Sequence, residues 1–175
     1  MMPVHPLLLV VLAQRLLELA VAGANTRRLR ARGAIEAGAG HYPLMLGLHA
    51  AWWLSLALAV PADQPTHGEA LAAFGALMAL RIWVMLCLGP YWTTRILTLP
   101  GAPLVRRGPY AVTAHPNYWV VAGEVALLPL AFDAFALAVL FSALNGAMLA
   151  WRIAVEDQAL AGRRLSVRGS SAASG

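Results

Sequence analysis

The stretch RRGPYAVTAHPNYWV, Arg106–Val120, interrupts a mostly apolar chain and stands directly before its last two apolar segments. Pro116 suits the first turn of a helix, where its missing N–H costs nothing, and the residue before a proline disfavours helical geometry. We therefore expect a helix to begin at Pro116. The free N–H groups of its first turn would favour a bound carboxylate or phosphate. His115 and Tyr118 have an alternative role as ordinary residues of the membrane interface.

Composition places the chain among polytopic membrane proteins. Its 175 residues are 60% hydrophobic and 12% charged, which is far more apolar surface than one small soluble core could use. The pI near 10.3 does not indicate nucleic-acid binding, because the arginines are spread along the chain rather than gathered into one patch. Cys87 is the single cysteine, so an internal disulfide is excluded.

Five apolar segments are candidates for membrane-spanning helices. They cover residues 3–22, 42–60, 68–88, 116–132 and 134–151. A span needs about 20 residues, so the first three qualify, whereas the last two are short and predict a tight helical hairpin. The sequence thus predicts an all-α integral membrane fold of about five helices. We expect one domain over residues 1–165 and a disordered polar tail over residues 166–175.

The arginines predict the orientation of the chain. Ten of the thirteen follow the first, third and fifth segments, namely Arg27, Arg28, Arg30, Arg32, Arg95, Arg106, Arg107, Arg163, Arg164 and Arg168. The opposite connections, residues 61–67 and the turn at Asp133, contain none, so the positive-inside rule predicts an outside N-terminus and a cytoplasmic C-terminus. Abundant alanine and the absence of lysine indicate a GC-rich bacterial genome. We therefore expect the bacterial plasma membrane, with the Arg106–Val120 stretch facing the cytoplasm.

Polar side chains within the segments are candidate functional residues, because a charge in the hydrocarbon core costs a few kcal/mol or more. They are Arg15, Glu18, His49, Arg81, Glu124, Asn145, Arg152 and Glu156. Most fall in the predicted cytoplasmic half and indicate a polar cavity open to the cytosol. Structural pairing is the alternative, either between Arg15 and Glu18 on one helix face or between Arg81 and Glu124 on different helices. For His49, helix packing is the favoured role.

The final helix carries a cation and an anion on one face. Arg152 and Glu156 are four residues apart, and Asn145 continues the same stripe. Such a pair can hold the two ends of a zwitterion, or it can form an internal ion pair at the membrane boundary. The spacing alone leaves both possibilities open.

The motifs GPY, HPNY and RIAVEDQAL, with a short apolar hairpin before the last, resemble the isoprenylcysteine carboxyl methyltransferase family, most strongly from Pro100 to Leu160. The N-terminal part is similar to the bacterial branch associated with methylation of lipid-like polyketides, such as alkylpyrones and alkylresorcinols. The resemblance implies an integral membrane enzyme that binds S-adenosylmethionine in a cytosolic pocket without a Rossmann domain.

The resemblance also implies roles for individual residues. It assigns to the cofactor Pro103, Leu104, Val105, Tyr110, His115, Pro116, Asn117, Tyr118 and Glu156. Arg152 matches the family arginine that faces the methyl acceptor and is the expected catalytic residue; no metal site is implied. Ala114 stands where the family usually has an arginine, and Asp157 replaces one glutamate of an acidic pair. Arg106 or Arg107 could supply the missing positive charge.

The expected function is S-adenosylmethionine-dependent O-methylation of a carboxylate or acidic hydroxyl. The acceptor would be a small lipophilic or prenylated molecule that reaches the site from the bilayer. Such an acceptor is already ionised at neutral pH, so alignment of the reacting atoms is the main contribution, with Arg152 orienting the anion. A phospholipid N-methyltransferase is one alternative, although an amine would favour acidic or aromatic neighbours over Arg152. A non-catalytic membrane protein, favoured by Ala114, is the other.

Overall fold

Five long helices make up most of the computed structural model, which describes residues 4–102 and 105–172, with side chains as far as Ala161. The helices are α1 (Pro6–Ala31), α2 (Tyr42–Ala59), α3 (Gly68–Leu88), α4 (Pro116–Leu130) and α5 (Phe135–Ala172). Short 3-10 turns cover Ala39–His41, Gly89–Tyr91 and Gly108–Ala111. The strands β1 (Ile35–Glu36) and β2 (Leu97–Thr98) pair antiparallel, with Ile35 opposite Thr98. The chain is mostly helical, as predicted, and this strand pair is the described exception.

The first and last helices extend beyond the predicted segments. α1 continues past Ala22 through the arginines to Ala31, and α5 continues past Trp151 to Ala172. The predicted boundaries followed the loss of hydropathy, whereas alanine, leucine and arginine are good helix formers and carry the helix onward. Of the tail for which we expect disorder, residues 166–172 belong to α5 and residues 173–175 lie outside the described residues. The domain division stays a prediction.

Four helical stretches are long and apolar enough to cross a membrane: Pro6–Ala31, Ala39–Ala59, Gly68–Tyr91 and Phe135–Ala161. α4 has 15 residues and is about 22 Å long, whereas the hydrocarbon core is about 30 Å thick. The prediction of about five crossings is therefore supported for four helices. Leu17, Leu58 and Leu86 are 70%, 78% and 70% exposed, which suits an outer surface that contacts lipid.

The connections that carry arginine meet at one end of the helix bundle. The Asn25 side chain at the end of α1 donates to the Trp92 carbonyl after α3 at 2.9 Å, and Glu36 pairs with Arg95 at 2.6 Å. At the opposite end, the His67 N–H donates to the Ala131 carbonyl at 2.9 Å. We call the end that carries Glu36 and Arg95 the arginine end. The predicted alternation of connections is present, and its assignment to the cytoplasmic face stays a prediction.

The apolar core lies toward the opposite end. Its buried members include Leu8, Val11, Trp52, Leu56, Phe74, Val125, Leu128, Phe132 and Phe141, from all five helices or the turn after α4. These side chains pack together and fill the space between the helices at that end. The α4–α5 hairpin turns there, where the Ala134 N–H donates to the Pro129 carbonyl at 2.9 Å. The packing leaves the polar side chains grouped toward the arginine end.

Candidate active site

A cavity of about 520 Å³ lies between the helices toward the arginine end. Its wall contains most of the residues singled out in the sequence, namely Val105, Tyr110, His115, Asn117, Tyr118, Arg152 and Glu156. Pro116 is buried as the first residue of α4, where the sequence predicted the helix to begin. Pro103 and Leu104 lie outside the described residues. The fold thus brings the HPNY motif and the end of α5 to one surface.

Glu156 is the centre of a polar cluster between α4 and α5. The Tyr118 hydroxyl donates to Glu156 Oε2 at 2.6 Å, and His115 Nδ1 lies 3.4 Å from the same oxygen. His115 Nε2 lies 3.4 Å from Asp157 Oδ1, and the His115 and Tyr118 rings stack with 5.3 Å between their centroids. The hydrogen bond with Glu156 raises the pKa of His115, which outweighs the opposing effect of burial. This side of the cavity therefore presents a carboxylate held by a phenol and an imidazole.

Tyr110 adds a neutral aromatic group to the same wall. Burial, followed by the nearby Glu156 carboxylate, raises the pKa of Tyr110. Its phenol consequently stays protonated at neutral pH. Tyr110 can contribute a flat apolar face and a hydrogen-bond donor, but not a negative charge.

Arg152 is a buried cation without a carboxylate partner. It is 5% exposed, its Nη1 lies 3.1 Å from His41 Nε2, and its Nη2 donates to the Thr94 carbonyl at 3.0 Å. Its guanidinium carbon lies 5.7 Å from the centre of the Tyr118 ring. Within the part of the chain that the structure describes, Arg152 has no ion pair, so the pairing with Glu156 that the spacing left open does not form. Because its described partners are neutral, the positive charge of Arg152 is not compensated within the protein and can interact with an anionic ligand.

A sharp turn places His41 against Arg152. His41 is 2% exposed and ends the 3-10 turn before α2. Gly38, with φ +62°, makes this turn possible, because a Cβ atom there would lie 2.6 Å from the His41 ring and 2.7 Å from the Val155 side chain. The chain between α1 and α2 is thereby pressed onto α5.

Sequence reasoning missed both residues that hold Arg152. Thr94 acts through its backbone carbonyl, which no residue pattern reveals. His41 had a usable signal, since it stands in HYP at the start of α2 much as His115 stands in HPNY at the start of α4. Both histidines precede helices that begin at the arginine end.

The charged residues deeper in the bundle form one ion network of Arg15, Glu18, Arg81 and Glu124. Arg15 lies 2.8 Å from Glu18 and 2.6 Å from Glu124, and Arg81 lies 2.8 Å and 2.9 Å from the same two carboxylates. Both pairings considered from the sequence are present, joined in a closed ring of zero net charge. The network ties α1, α3 and α4 together, and three of its members, all but Glu124, also line the cavity.

His49 and Asn145 lie on the cavity wall as well. His49 Nδ1 lies 2.9 Å from the Met45 carbonyl one turn earlier on α2. Because a carbonyl only accepts, Nδ1 is the protonated nitrogen of this ring. Asn145 is 2% exposed, which agrees with the predicted stripe that it shares with Arg152.

The missing arginine at position 114 is not replaced by its neighbours. Ala114 lines the cavity. Arg107 donates from Nε and Nη2 to the Cys87 carbonyl at 3.2 Å and 3.0 Å, and neither it nor Arg106 is among the described residues of the cavity wall. Of the three arginines in the connection between α3 and α4, the one on the described cavity wall is Arg95.

Two comparisons with known proteins found a match. The isoprenylcysteine carboxyl methyltransferase (ICMT) family model matches residues 70–162. The chain is 40% identical over 159 residues to the uncharacterized protein YpbQ of Bacillus subtilis (strain 168), an alignment that covers 88% of this chain and 94% of that protein. No solved structure matches. The family match includes the HPNY motif, Arg152 and Glu156, whereas His41 and the first half of the ion network precede it.

Proposed function

Since the chain belongs to the isoprenylcysteine carboxyl methyltransferase family, we propose that it is a membrane methyltransferase that transfers a methyl group from S-adenosylmethionine to an anionic oxygen of a lipophilic acceptor. The observation that carries the proposal is the buried Arg152, which lines the cavity without a carboxylate partner among the described residues. Glu156 lies one helical turn further along α5 on the same wall.

The contacts of Arg152 favour an anionic acceptor. A guanidinium carries five N–H donors, and the described contacts use one on each terminal nitrogen. A buried charge without an opposite charge is costly, so a bound carboxylate or ionised hydroxyl relieves that cost and gains charge-assisted hydrogen bonds. An amine would meet repulsion at the same place, which favours O-methylation over the phospholipid N-methyltransferase alternative.

The other residues of the wall fit S-adenosylmethionine. The cavity of about 520 Å³ lies within the range of about 300–1,000 Å³ for small-molecule sites. The Glu156 carboxylate suits an ammonium group, and the start of α4 suits a carboxylate, since His115 gives that helix no side-chain cap. Asn117 Oδ1 is buried without a described hydrogen-bond partner and can accept from a ligand N–H. When bound, the cofactor supplies a methyl group on a positively charged sulfur.

The chain's own residues orient and shield the reactants. Arg152 holds the acceptor oxygen, and His41 and Thr94 fix the guanidinium. An acceptor that is already ionised needs no strong general base, so alignment is the main contribution. Tyr118 holds the Glu156 carboxylate. The presence of Arg152 and Glu156 on one cavity wall supports a catalytic function over the non-catalytic alternative.

The apolar part of the acceptor reaches the site from the bilayer. Leu16 of α1 and Leu46 of α2 line the cavity, yet they are 57% and 44% exposed. The cavity wall therefore extends to the outer surface of these helices, which suits a hydrocarbon chain that stays partly in lipid. With the arginine end in the cytoplasm, the site would draw on the cytoplasmic pool of cofactor and on the inner leaflet of a bacterial plasma membrane.

Methyl transfer in nanodiscs tests the proposal. Purified protein is supplied with methyl-labelled S-adenosylmethionine and either long-chain fatty acids, alkyl compounds with an acidic hydroxyl, or phosphatidylethanolamine. We expect labelling of an oxygen acceptor, and a loss of about 10- to 100-fold in turnover for Arg152→Gln, as expected for a charged hydrogen bond. Arg28→Gln, an exposed arginine outside the cavity wall, is the control and should retain turnover.

The outcomes separate the three functions. Labelling of phosphatidylethanolamine alone would establish the N-methyltransferase alternative. Unchanged turnover in Arg152→Gln would contradict the role of this arginine. Absence of cofactor binding by calorimetry in the wild-type protein would favour the non-catalytic alternative, and Glu156→Gln should weaken that binding if the proposal is right.

A further inference from the structure

We propose that Glu36 is a positioning residue that fixes Arg152 at the acceptor site through a clasp between two connections at the arginine end. The clasp, called here the Glu36 clasp, consists of Glu36, Tyr42 and Arg95 together with β1 and β2. It rests on the proposed role of Arg152, and Glu36 itself is not among the described residues of the cavity wall.

Glu36 joins the α1–α2 connection to the α3–α4 connection. Its Oε1 accepts a hydrogen bond from Arg95 Nη1 at 2.6 Å, and its Oε2 accepts one from Arg30 Nη2. The Glu36 side chain is 12% exposed, compared with 30% for Arg95 and 52% for Arg30. The Ala37 N–H adds a hydrogen bond to the Ile96 carbonyl at 2.9 Å beside the paired strands. We call Arg95 the inner arm of Glu36, whereas Arg30, the outer arm, lies at the surface and is not part of the clasp.

The inner arm, Arg95, is connected through Tyr42 to the two groups that hold Arg152. The Arg95 guanidinium lies 3.8 Å from the centre of the Tyr42 ring, and the Tyr42 hydroxyl lies 3.2 Å from Thr94 Oγ1. Tyr42 follows His41 in the chain, and Arg95 follows Thr94. Each ligand of Arg152 is thus the immediate neighbour of a clasp residue, and the Arg95–Tyr42 contact sets the spacing between them.

The clasp also forms part of the cavity wall. Residues 93–99, which include Arg95 and β2, line the cavity. Separation of the two connections would move the Thr94 carbonyl away from His41. The guanidinium would then lose one of its two fixed partners and its defined direction. A misplacement of about 1 Å can reduce a rate by about 100-fold, so Glu36 can affect catalysis although it is not among the described residues of the cavity wall.

Glu36 is ionised under ordinary conditions. Although burial acts to raise the pKa of Glu36, the hydrogen bonds from Arg95 and Arg30 lower it below its usual value. The Glu36 carboxylate therefore stays ionised at neutral pH and retains its hydrogen bonds with Arg95 and Arg30. The neutral amide of Glu36→Gln has nearly the same shape and removes only the charge and one acceptor oxygen.

Kinetics of matched variants test the inference. We expect Glu36→Gln and Arg95→Gln each to lower kcat/KM for the acceptor about tenfold, the loss typical of one charge-assisted hydrogen bond. The affinity for S-adenosylmethionine should change less than about twofold, since Glu156 and α4 are not part of the clasp. The double variant should be no worse than either single variant. Arg30→Gln, which removes only the outer arm, is the matched control and should retain kcat/KM.

A covalent replacement for the clasp separates positioning from a general loss of stability. Ile35 and Thr98 are opposite each other in the strand pair, so Ile35→Cys and Thr98→Cys should form a disulfide across it. In the Glu36→Gln background, this disulfide should restore kcat/KM, and dithiothreitol should remove the gain. Failure of the disulfide to restore activity would overturn the inference, as would an equal loss in Arg30→Gln or an unchanged kcat/KM in Glu36→Gln.

Binding of dodecanoate makes the test independent of turnover. Calorimetry in nanodiscs should show affinity reduced about tenfold in Glu36→Gln, because the anion depends on the placement of Arg152. If the wild-type protein binds dodecanoate but methylates no acceptor, the proposed function fails, and the Glu36→Gln affinity still decides the role of the clasp. A wild-type protein that neither binds dodecanoate nor turns over refutes both.

Discussion

Replacement of Arg81 by Met tests whether the buried ion network behaves as one unit. The Arg81 side chain is 9% exposed and holds Glu18 and Glu124 at 2.8 Å and 2.9 Å. Its loss leaves two buried carboxylates that share Arg15 alone, so the network acquires one uncompensated negative charge. Removal of one partner from a buried ion pair typically costs about 3–5 kcal/mol. We expect the free energy of unfolding to fall by that amount.

Glu124→Gln completes a double-mutant cycle. Alone, this change leaves the network with one excess positive charge and should also cost about 3–5 kcal/mol. Arg81→Met combined with Glu124→Gln restores neutrality around the remaining Arg15–Glu18 pair. The double variant should therefore be about 2–3 kcal/mol more stable than the sum of the single losses predicts. The unfolding free energies come from titration of mixed micelles with sodium dodecyl sulfate, followed by circular dichroism. Losses that add within about 0.5 kcal/mol would refute the view of a coupled network.

Three further predictions concern the cofactor wall and the loop before it. Tyr118→Phe removes the 2.6 Å hydrogen bond to Glu156 and should weaken S-adenosylmethionine binding about tenfold by calorimetry; an unchanged affinity would show that Glu156 needs no such support. The pKa of His115 is raised in the folded protein, so its stabilisation is fully present below its usual pKa and is lost as pH rises through the raised value. The melting temperature of His115→Gln should therefore fall below that of the wild type at about pH 6 and approach it at about pH 9, and a constant difference would contradict this assignment. Gly108 has φ +57°, and a Cβ there would lie 2.5 Å from the Cys87 sulfur, so Gly108→Ala should cost about 1–3 kcal/mol, which a thermal unfolding series can measure.

The elements with strong local signals could be predicted from the sequence. The observed bounds of α3 are those of the predicted segment, Gly68–Leu88, and α4 begins at Pro116 as its ring geometry requires. The common face of Arg152 and Glu156 also followed from helical spacing. These features depend on neighbours within a few residues, which the sequence displays directly.

Contacts between distant segments could not be predicted in the same way. Arg15, Glu18, Arg81 and Glu124 could be recognised as pairs, but their union in a ring depends on which faces of three helices meet. The hold of the Thr94 carbonyl on Arg152 depends on backbone geometry, which residue identity does not encode. β1 and β2 have two residues each, too few for an alternating pattern to appear.

The wall of the cavity is divided between two parts of the chain. Residues 70–162 match the family and contain the groups proposed to hold the cofactor, whereas α1, β1 and α2 lie before that region and supply Leu16, Leu46, His49 and the start of the clasp. Under the proposed function, substitutions at Leu16 or Leu46 should therefore alter the choice of acceptor more than the binding of the methyl donor.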